Sequence, residues 1–247
     1  FADVPPERLE ALRSQKQVDL EDILSIFAFS LEIDRVSIEV ALQTIPQFEP
    51  DFTAIYLNGL DAAEHHFWRY IEPDKFPAVP PEDVARYRGV IDEYYVYMDE
   101  VLGRLLELVP AERRTVVIVS DHGHEANPSY DPSTEDHYNR LSSGGHEDAP
   151  DGVLVLSGLD VVAGAFPVQN PTVFDVAPTV LALMGVPVAR DMEGRVLSEL
   201  LRPEFLAERP VRFAPSYAAG HVVSDVPIDS AGNTALQERL RALGYLP

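Results

Sequence analysis

Phe52-Thr-Ala-Ile-Tyr-Leu-Asn-Gly-Leu-Asp61-Ala-Ala-Glu-His65 reads as a short strand that runs directly into a helix. Pro50-Asp51 introduces it, and residues 52–57 are β-branched and aromatic in the manner of a buried strand. Asp61 and His65 follow at a spacing of four. A helix beginning at Asp61 projects both side chains from one face, a turn apart. One hard oxygen donor and one imidazole suit a borderline cation such as zinc.

Two further stretches carry side chains of the same kind. Thr115-Val-Val-Ile-Val-Ser120 is a continuous apolar run, typical of a strand covered on both faces, and Asp121-His122-Gly123 sits at its carboxyl end. Adjacent residues of a straight strand point to opposite faces, so Asp121 and His122 share an ion only where the chain turns, and Gly123 marks that turn. Gly144-Gly145-His146 lies near the far end of residues 125–152, which are rich in Asn, Pro, Ser, Asp and Gly. A loop of that length inside a compact domain is usually functional, and a mobile active-site loop is expected there. Asp61, His65 and His146 would leave an open coordination position, as a catalytic zinc site does. With Asp121 and His122 holding a second cation about 4 Å away, the pair could activate a nucleophile and stabilise the leaving oxygen of an in-line phosphoryl displacement.

Each motif alone also has a plainer reading. Asp61 serves as a helix cap, Asp121 as a turn residue, and a lone His65 or His146 as a hydrogen-bonded histidine. The order of all three, at strand ends and loops, favours the metal centre. His66, His124, His137 and His221 fit no such pattern and are expected to lie on the surface or to play a supporting part.

Working outward, residues 5–46 read as helical. Pro5-Pro6 opens one helix, Asp19-Leu-Glu-Asp22 a second, and Asp34–Ile45 makes a third. Residues 81–108 predict the longest helix, with Val84, Tyr87, Ile91, Tyr94, Met98, Leu102 and Leu105 along one face. Pro110 ends it. Residues 153–156 predict a strand, residues 173–184 a helix stopped by Gly185, Arg212-Phe213 the start of a last strand, and residues 234–243 a terminal helix. The alternation predicts one α/β domain over residues 1–247, with its ligands at the carboxyl ends of the strands.

Composition narrows the partners. The 247 residues carry 41 acidic against 19 basic side chains, a net charge of −22. So negative a surface repels a phosphate backbone and argues against a nucleic-acid duplex as partner. An anionic substrate would need local positive charge, which bound divalent ions supply. With no cysteine, disulfides, thiolate metal sites and a cysteine nucleophile are excluded. No apolar run approaches the roughly 20 residues of a membrane span. The chain begins at Phe1 without a visible signal peptide and reads as a processed or truncated product.

At this point a resemblance enters. Ile55-Tyr-Leu-Asn-Gly-Leu-Asp61-Ala-Ala-Glu-His65-His-Phe-Trp68 resembles a metal-binding segment of the type I phosphodiesterase/nucleotide pyrophosphatase family, within the alkaline phosphatase superfamily. Val119-Ser-Asp121-His122-Gly123 resembles its second metal segment, and Gly144-Gly-His146 followed by residues 151–158 its third. Residues 173–187, 192–197 and 240–246 are similar to the family's closing elements, so the resemblance covers roughly residues 32–247. It implies a three-layer sandwich with a mostly parallel central sheet flanked by helices, and a phosphoric ester hydrolase using two zinc ions. Asp61, His65 and His146 would hold one ion, and Asp121 with His122 the other. The family completes the second site with an earlier Asp and uses a Thr or Ser nucleophile.

Neither is found before residue 50, where Ser14, Ser25, Ser30, Ser37 and Thr44 all sit in helical text. The first strand, one ligand and the nucleophile are therefore expected in a preceding portion of the same protein, and the substrate is expected to be a small phosphate ester. The alternatives are a truncated or degenerate module that binds metal or a partner without chemistry, and another superfamily reaction such as sulfatase, phosphonate hydrolase or phosphotransferase. The three imidazoles speak against a sulfatase.

Overall fold

A computed structural model describes residues 19, 21–164 and 168–218. The expected helices at Pro5-Pro6 and at residues 234–243, and His221, lie outside the described residues. The chain divides into two compact units. Among the described residues, the first takes those up to 108 and 122–151, and the second takes 109–121 and those from 152 to 218.

The first unit is built on helices α1 (Ile23–Phe48), α2 (Gly59–Ile71), α3 (Pro81–Tyr87) and α4 (Val90–Glu107). The second and third expected helices are one. No Gly or Pro interrupts residues 23–45, and Pro46 falls in the last turn. The start of α1 is capped by Asp22, whose carboxylate accepts the Leu24 N–H at 3.0 Å. The expected helix over 81–108 is two, α3 and α4, parted at Arg88-Gly89, where glycine lowers the helical preference. The core between them is aromatic. Phe27 of α1 meets Phe67 of α2 edge-on, with centroids 5.1 Å apart, and Tyr94 of α4 at 5.9 Å.

Asp34 lies in the middle of α1 yet is buried, because it faces the start of α2. Its carboxylate accepts the N–H groups of Asn58 and Gly59 at 3.0 Å each and the Tyr94 hydroxyl at 2.6 Å. These bonds satisfy amide groups that a helix start leaves without intrahelical partners. Beyond α2 come β2 (Glu125–Ala126), the short helix α5 (His137–Leu141) and β3 (Gly144–Gly145), which pairs antiparallel with β2. Residues 125–152, read as one loop, thus contain a small strand pair and a helical turn.

The second unit holds β1 (Thr115–Val119) paired antiparallel with β4 (Leu154–Gly158), in register from Thr115 opposite Gly158 to Val119 opposite Leu154. Helix α6 (Val176–Leu183) is preceded by a 3-10 turn over Val173–Asp175, and Gly185 follows it at φ +68°, the left-handed stop expected there. β5 (Val188–Ala189) and β6 (Phe213–Ala214) form a parallel pair, and α7 (Pro203–Glu208) lies between them in sequence.

Helix and strand content is mixed, as an α/β chain requires. A mostly parallel central sheet does not form among the described residues, where strands pair only two by two. Residues 52–57 are not hydrogen-bonded as a strand, and Phe52 and Tyr56 are exposed. An apolar, β-branched run becomes a strand only where a neighbour takes its N–H and C=O groups. β1, expected to be covered on both faces, is paired with β4 but leaves Ile118 and Val119 exposed.

Two outcomes follow. A Cβ at Gly59 would come within 1.9 Å of the Tyr94 hydroxyl and 2.8 Å of Asp34 Oδ2. Gly59→Ala is therefore expected to destabilise the chain by about 1–3 kcal/mol in urea unfolding. His66 is buried with Nδ1 3.2 Å from the Leu141 carbonyl, and burial lowers its pKa to about 4. An unfolded histidine titrates near 6.5, so below that pH the unfolded state takes up the proton first, and stability falls as pH drops from about 6.5 toward 4. At pH 5 the loss from His66 is about 2 kcal/mol. His66→Asn is expected to flatten this slope when unfolding is compared at pH 7 and pH 5.

Candidate metal centre

Helix α2 turns Asp61, in its first turn, and His65, one turn later, to the side away from the aromatic core. Their Oδ1 and Nε2 atoms are 3.5 Å apart. β3 passes directly over this side. A Cβ at Gly144 would lie 2.3 Å from the Glu64 carbonyl oxygen, so only glycine permits the approach. That closeness lets the Gly144 carbonyl sit 2.8 Å from His65 Nδ1, and the chain then delivers His146.

The segment after β1 supplies the rest. The Gly123 N–H donates to the Pro150 carbonyl at 2.8 Å, and His122 bridges to Asp151, which holds residues 122–124 extended. Alternate residues of an extended segment share a side, so His122 and His124 both face Asp61. Their Nε2 atoms lie 3.9 and 3.5 Å from Asp61 Oδ1. His146 stacks on His122 with centroids 4.2 Å apart and meets His65 edge-on at 5.2 Å. Four imidazoles and one carboxylate converge.

The tautomers define the electrostatics. His65 Nδ1 faces the Gly144 carbonyl, His122 Nδ1 faces the Gly123 carbonyl at 3.0 Å, and His124 Nδ1 faces Glu64 Oε2 at 2.9 Å. A carbonyl or a carboxylate only accepts, so each Nδ1 carries a ring proton, and in a neutral ring Nε2 then presents a lone pair. Burial, and then the nearby His124, hold the His65 pKa well below its ordinary value, so its ring stays neutral at pH 7. The His65 lone pair therefore faces a carboxylate oxygen. The Nε2 atoms of His65 and His124 are buried and have no hydrogen-bond partner among the described residues. Burying an unsatisfied polar atom costs about 1–3 kcal/mol.

A cation removes the conflict. The ligand atoms of Asp61, His122 and His124 all lie within 4.8 Å of one another. Tetrahedral zinc about 2.1 Å from each nitrogen or oxygen spaces its ligands about 3.4 Å apart, close to the 3.5 Å found from Asp61 to His65 and to His124. The donor set fits.

Of the residues singled out in the sequence, Asp61, His65, His122 and His146 come together in the first unit. His122, which the resemblance pairs with Asp121 for a second ion, turns to Asp61. Asp121 falls in the second unit, and the group of Asp61, His122 and His124 does not include it. His124, which fitted no motif in the sequence, stands in the centre. The signal was the i, i+2 spacing of His122-Gly-His124 in a chain that stays extended past Gly123.

Fold and site together define a mixed helix-and-strand protein with a carboxylate–imidazole cluster that could hold a metal ion. The chain belongs to the type I phosphodiesterase/nucleotide pyrophosphatase family, whose model matches residues 3–176. No curated protein and no solved structure matches it.

The lone-pair conflict gives a test that needs no substrate. Asp61→Asn replaces an acceptor with a donor amide facing the imidazoles. The variant is expected to unfold several degrees higher than the metal-free parent, and to lose the rise in melting temperature that zinc gives the parent. Differential scanning calorimetry with and without zinc reads both.

Proposed function

We propose that this chain carries the metal-binding part of a phosphoric ester hydrolase that works with two zinc ions. The observation that supports this most directly is the convergence of three imidazole Nε2 atoms on one oxygen of Asp61. Asp61 with His65 and His146 would hold the first ion, and His124 stands in reach of it. Asp121 and His122 would serve the second, as the resemblance implies. Bound divalent ions supply Lewis-acid charge at a phosphoryl group.

The chain's own residues prepare for that charge. His65, His122 and His124 are fixed by backbone and side-chain bonds before any ion arrives, so little reorganisation is needed. A net charge of −22 would otherwise repel an anionic ester. In this reading the nucleophile is a Thr or Ser that the resemblance places ahead of the metal segments, in a preceding portion of the same protein. The three-layer sandwich with a mostly parallel sheet belongs to the same proposal. The exposed apolar side chains of residues 52–57 and, separately, of β1 and β4 support it, since they suit strands that further strands would flank.

Metal analysis of the zinc-loaded chain is expected to give two zinc per chain, and a value of one would restrict the site to the Asp61 cluster. In the full-length protein, His65→Ala and His146→Ala are expected to lower hydrolysis of bis(p-nitrophenyl) phosphate by at least a hundredfold along with zinc content. Loss of zinc with activity unchanged would overturn the proposal.

A further inference from the structure

Helix α2 carries a third acidic or basic side chain on the face it turns to the cluster. Glu64 lies three residues after Asp61 and next to His65, and its side chain is largely buried. Its two oxygens are engaged in opposite directions. Oε2 is 2.9 Å from His124 Nδ1, and Oε1 accepts the Tyr95 hydroxyl at 3.0 Å. Trp68, one turn further along α2, lays its ring nearly parallel to the His124 imidazole, 26° between planes and 6.2 Å between centroids.

His124 is thus held at one nitrogen and along one ring edge, while its other nitrogen is aimed at Asp61. Of the three imidazoles of the cluster whose Nδ1 partner is defined, His65 and His122 lean on backbone carbonyls, and His124 alone leans on a carboxylate. A carboxylate behind an imidazole fixes the tautomer and raises the donor strength of the opposite nitrogen. Tyr95 completes the arrangement. Burial, then the charge of Glu64, push its phenol up to about 12, so at neutral pH it remains a hydrogen donor to that carboxylate.

We infer that Glu64 is a positioning residue for the metal centre: steadied by Tyr95, it locks His124 into the Nδ1–H tautomer and so makes His124 a metal ligand through Nε2. The inference rests on the metal-centre reading above and goes beyond it, because neither the motifs nor the resemblance give Glu64, Tyr95 or His124 a role. Glu64 acts through His124 and is not itself assigned as a ligand, since its two oxygens are engaged by His124 and Tyr95.

The test uses the whole chain and two readouts. The first is the histidine tautomer in the metal-free protein at neutral pH, from long-range 1H–15N correlation spectra. His124 is expected as the Nδ1–H form in the parent and in Glu64→Gln, whose amide oxygen still accepts, and as a mixture or the Nε2–H form in Glu64→Ala. The second is zinc affinity by competition with a chromophoric chelator. Glu64→Ala and His124→Ala are each expected to weaken zinc by about 10–100-fold. Glu64→Gln should recover most of the loss, and Tyr95→Phe should weaken zinc only a few-fold. The double variant Glu64→Ala/His124→Ala should be no weaker than His124→Ala alone, as residues acting as one unit require.

An Nε2–H tautomer in the parent would overturn the inference without any metal. So would parent-like zinc binding by Glu64→Ala, or losses that add in the double variant. A parent chain that takes up no zinc would instead sink the proposed function, and the ligand role of His124 with it. Should Glu64→Ala fail to fold, Glu64→Gln and Tyr95→Phe still decide the matter. A Glu64→Gln chain that is folded and as weak as His124→Ala would contradict the tautomer argument.

Discussion

The carboxylate of Asp34 accepts the first amide groups of α2 at Asn58 and Gly59, and the candidate metal centre depends on that bond pair. It sets where the helix starts and the direction it takes. From that origin α2 serves two neighbours. Ala63, Phe67 and Tyr70 enter the aromatic core with α1 and α4. Asp61, Glu64 and His65 meet β3 and the segment after β1. An error of one residue in the helix start would rotate every side chain by about 100° and separate the carboxylate from the imidazoles. The buried Asp34 therefore belongs to the site in effect, though it is far from it in sequence.

The second constraint is chemical. Nitrogen lone pairs aimed at a carboxylate oxygen are an arrangement that folding alone does not favour. Packing elsewhere must hold it in place. Gly144 lets β3 close on α2, and Ser143 ties the same segment to the Arg69 N–H at 3.1 Å. Strain of this kind gathers at functional sites because the function requires it.

Much of this was legible in the sequence. The i, i+4 pair Asp61 and His65 is adjacent on a helix face wherever that helix forms, so the pair followed from local geometry. Gly185 as the stop of α6, the strand after Asp151 and the short strand at Phe213 were equally local. The helix boundaries were less so. Residues 23–48 carry no break that would divide them, whereas Gly89 breaks a pattern that apolar spacing alone read as continuous. Residues 52–57 have the composition of a strand, but strand formation is a property of two segments and not of one.

His124 and Glu64 show where sequence reasoning stops. Each was an ordinary polar residue beside a motif. Nothing within a few positions of either says that they meet across 60 residues at 2.9 Å, or that His122 would turn to Asp61. By itself the sequence determined the ligand types, their order, the absence of thiolates and an acidic surface that calls for cationic help. Tertiary structure alone decided which of these side chains come together and which nitrogen each turns to Asp61. Hydrogen bonds to Gly144, Gly123 and Glu64 choose the tautomers, and those partners exist only once the helix and the two strand ends have packed together.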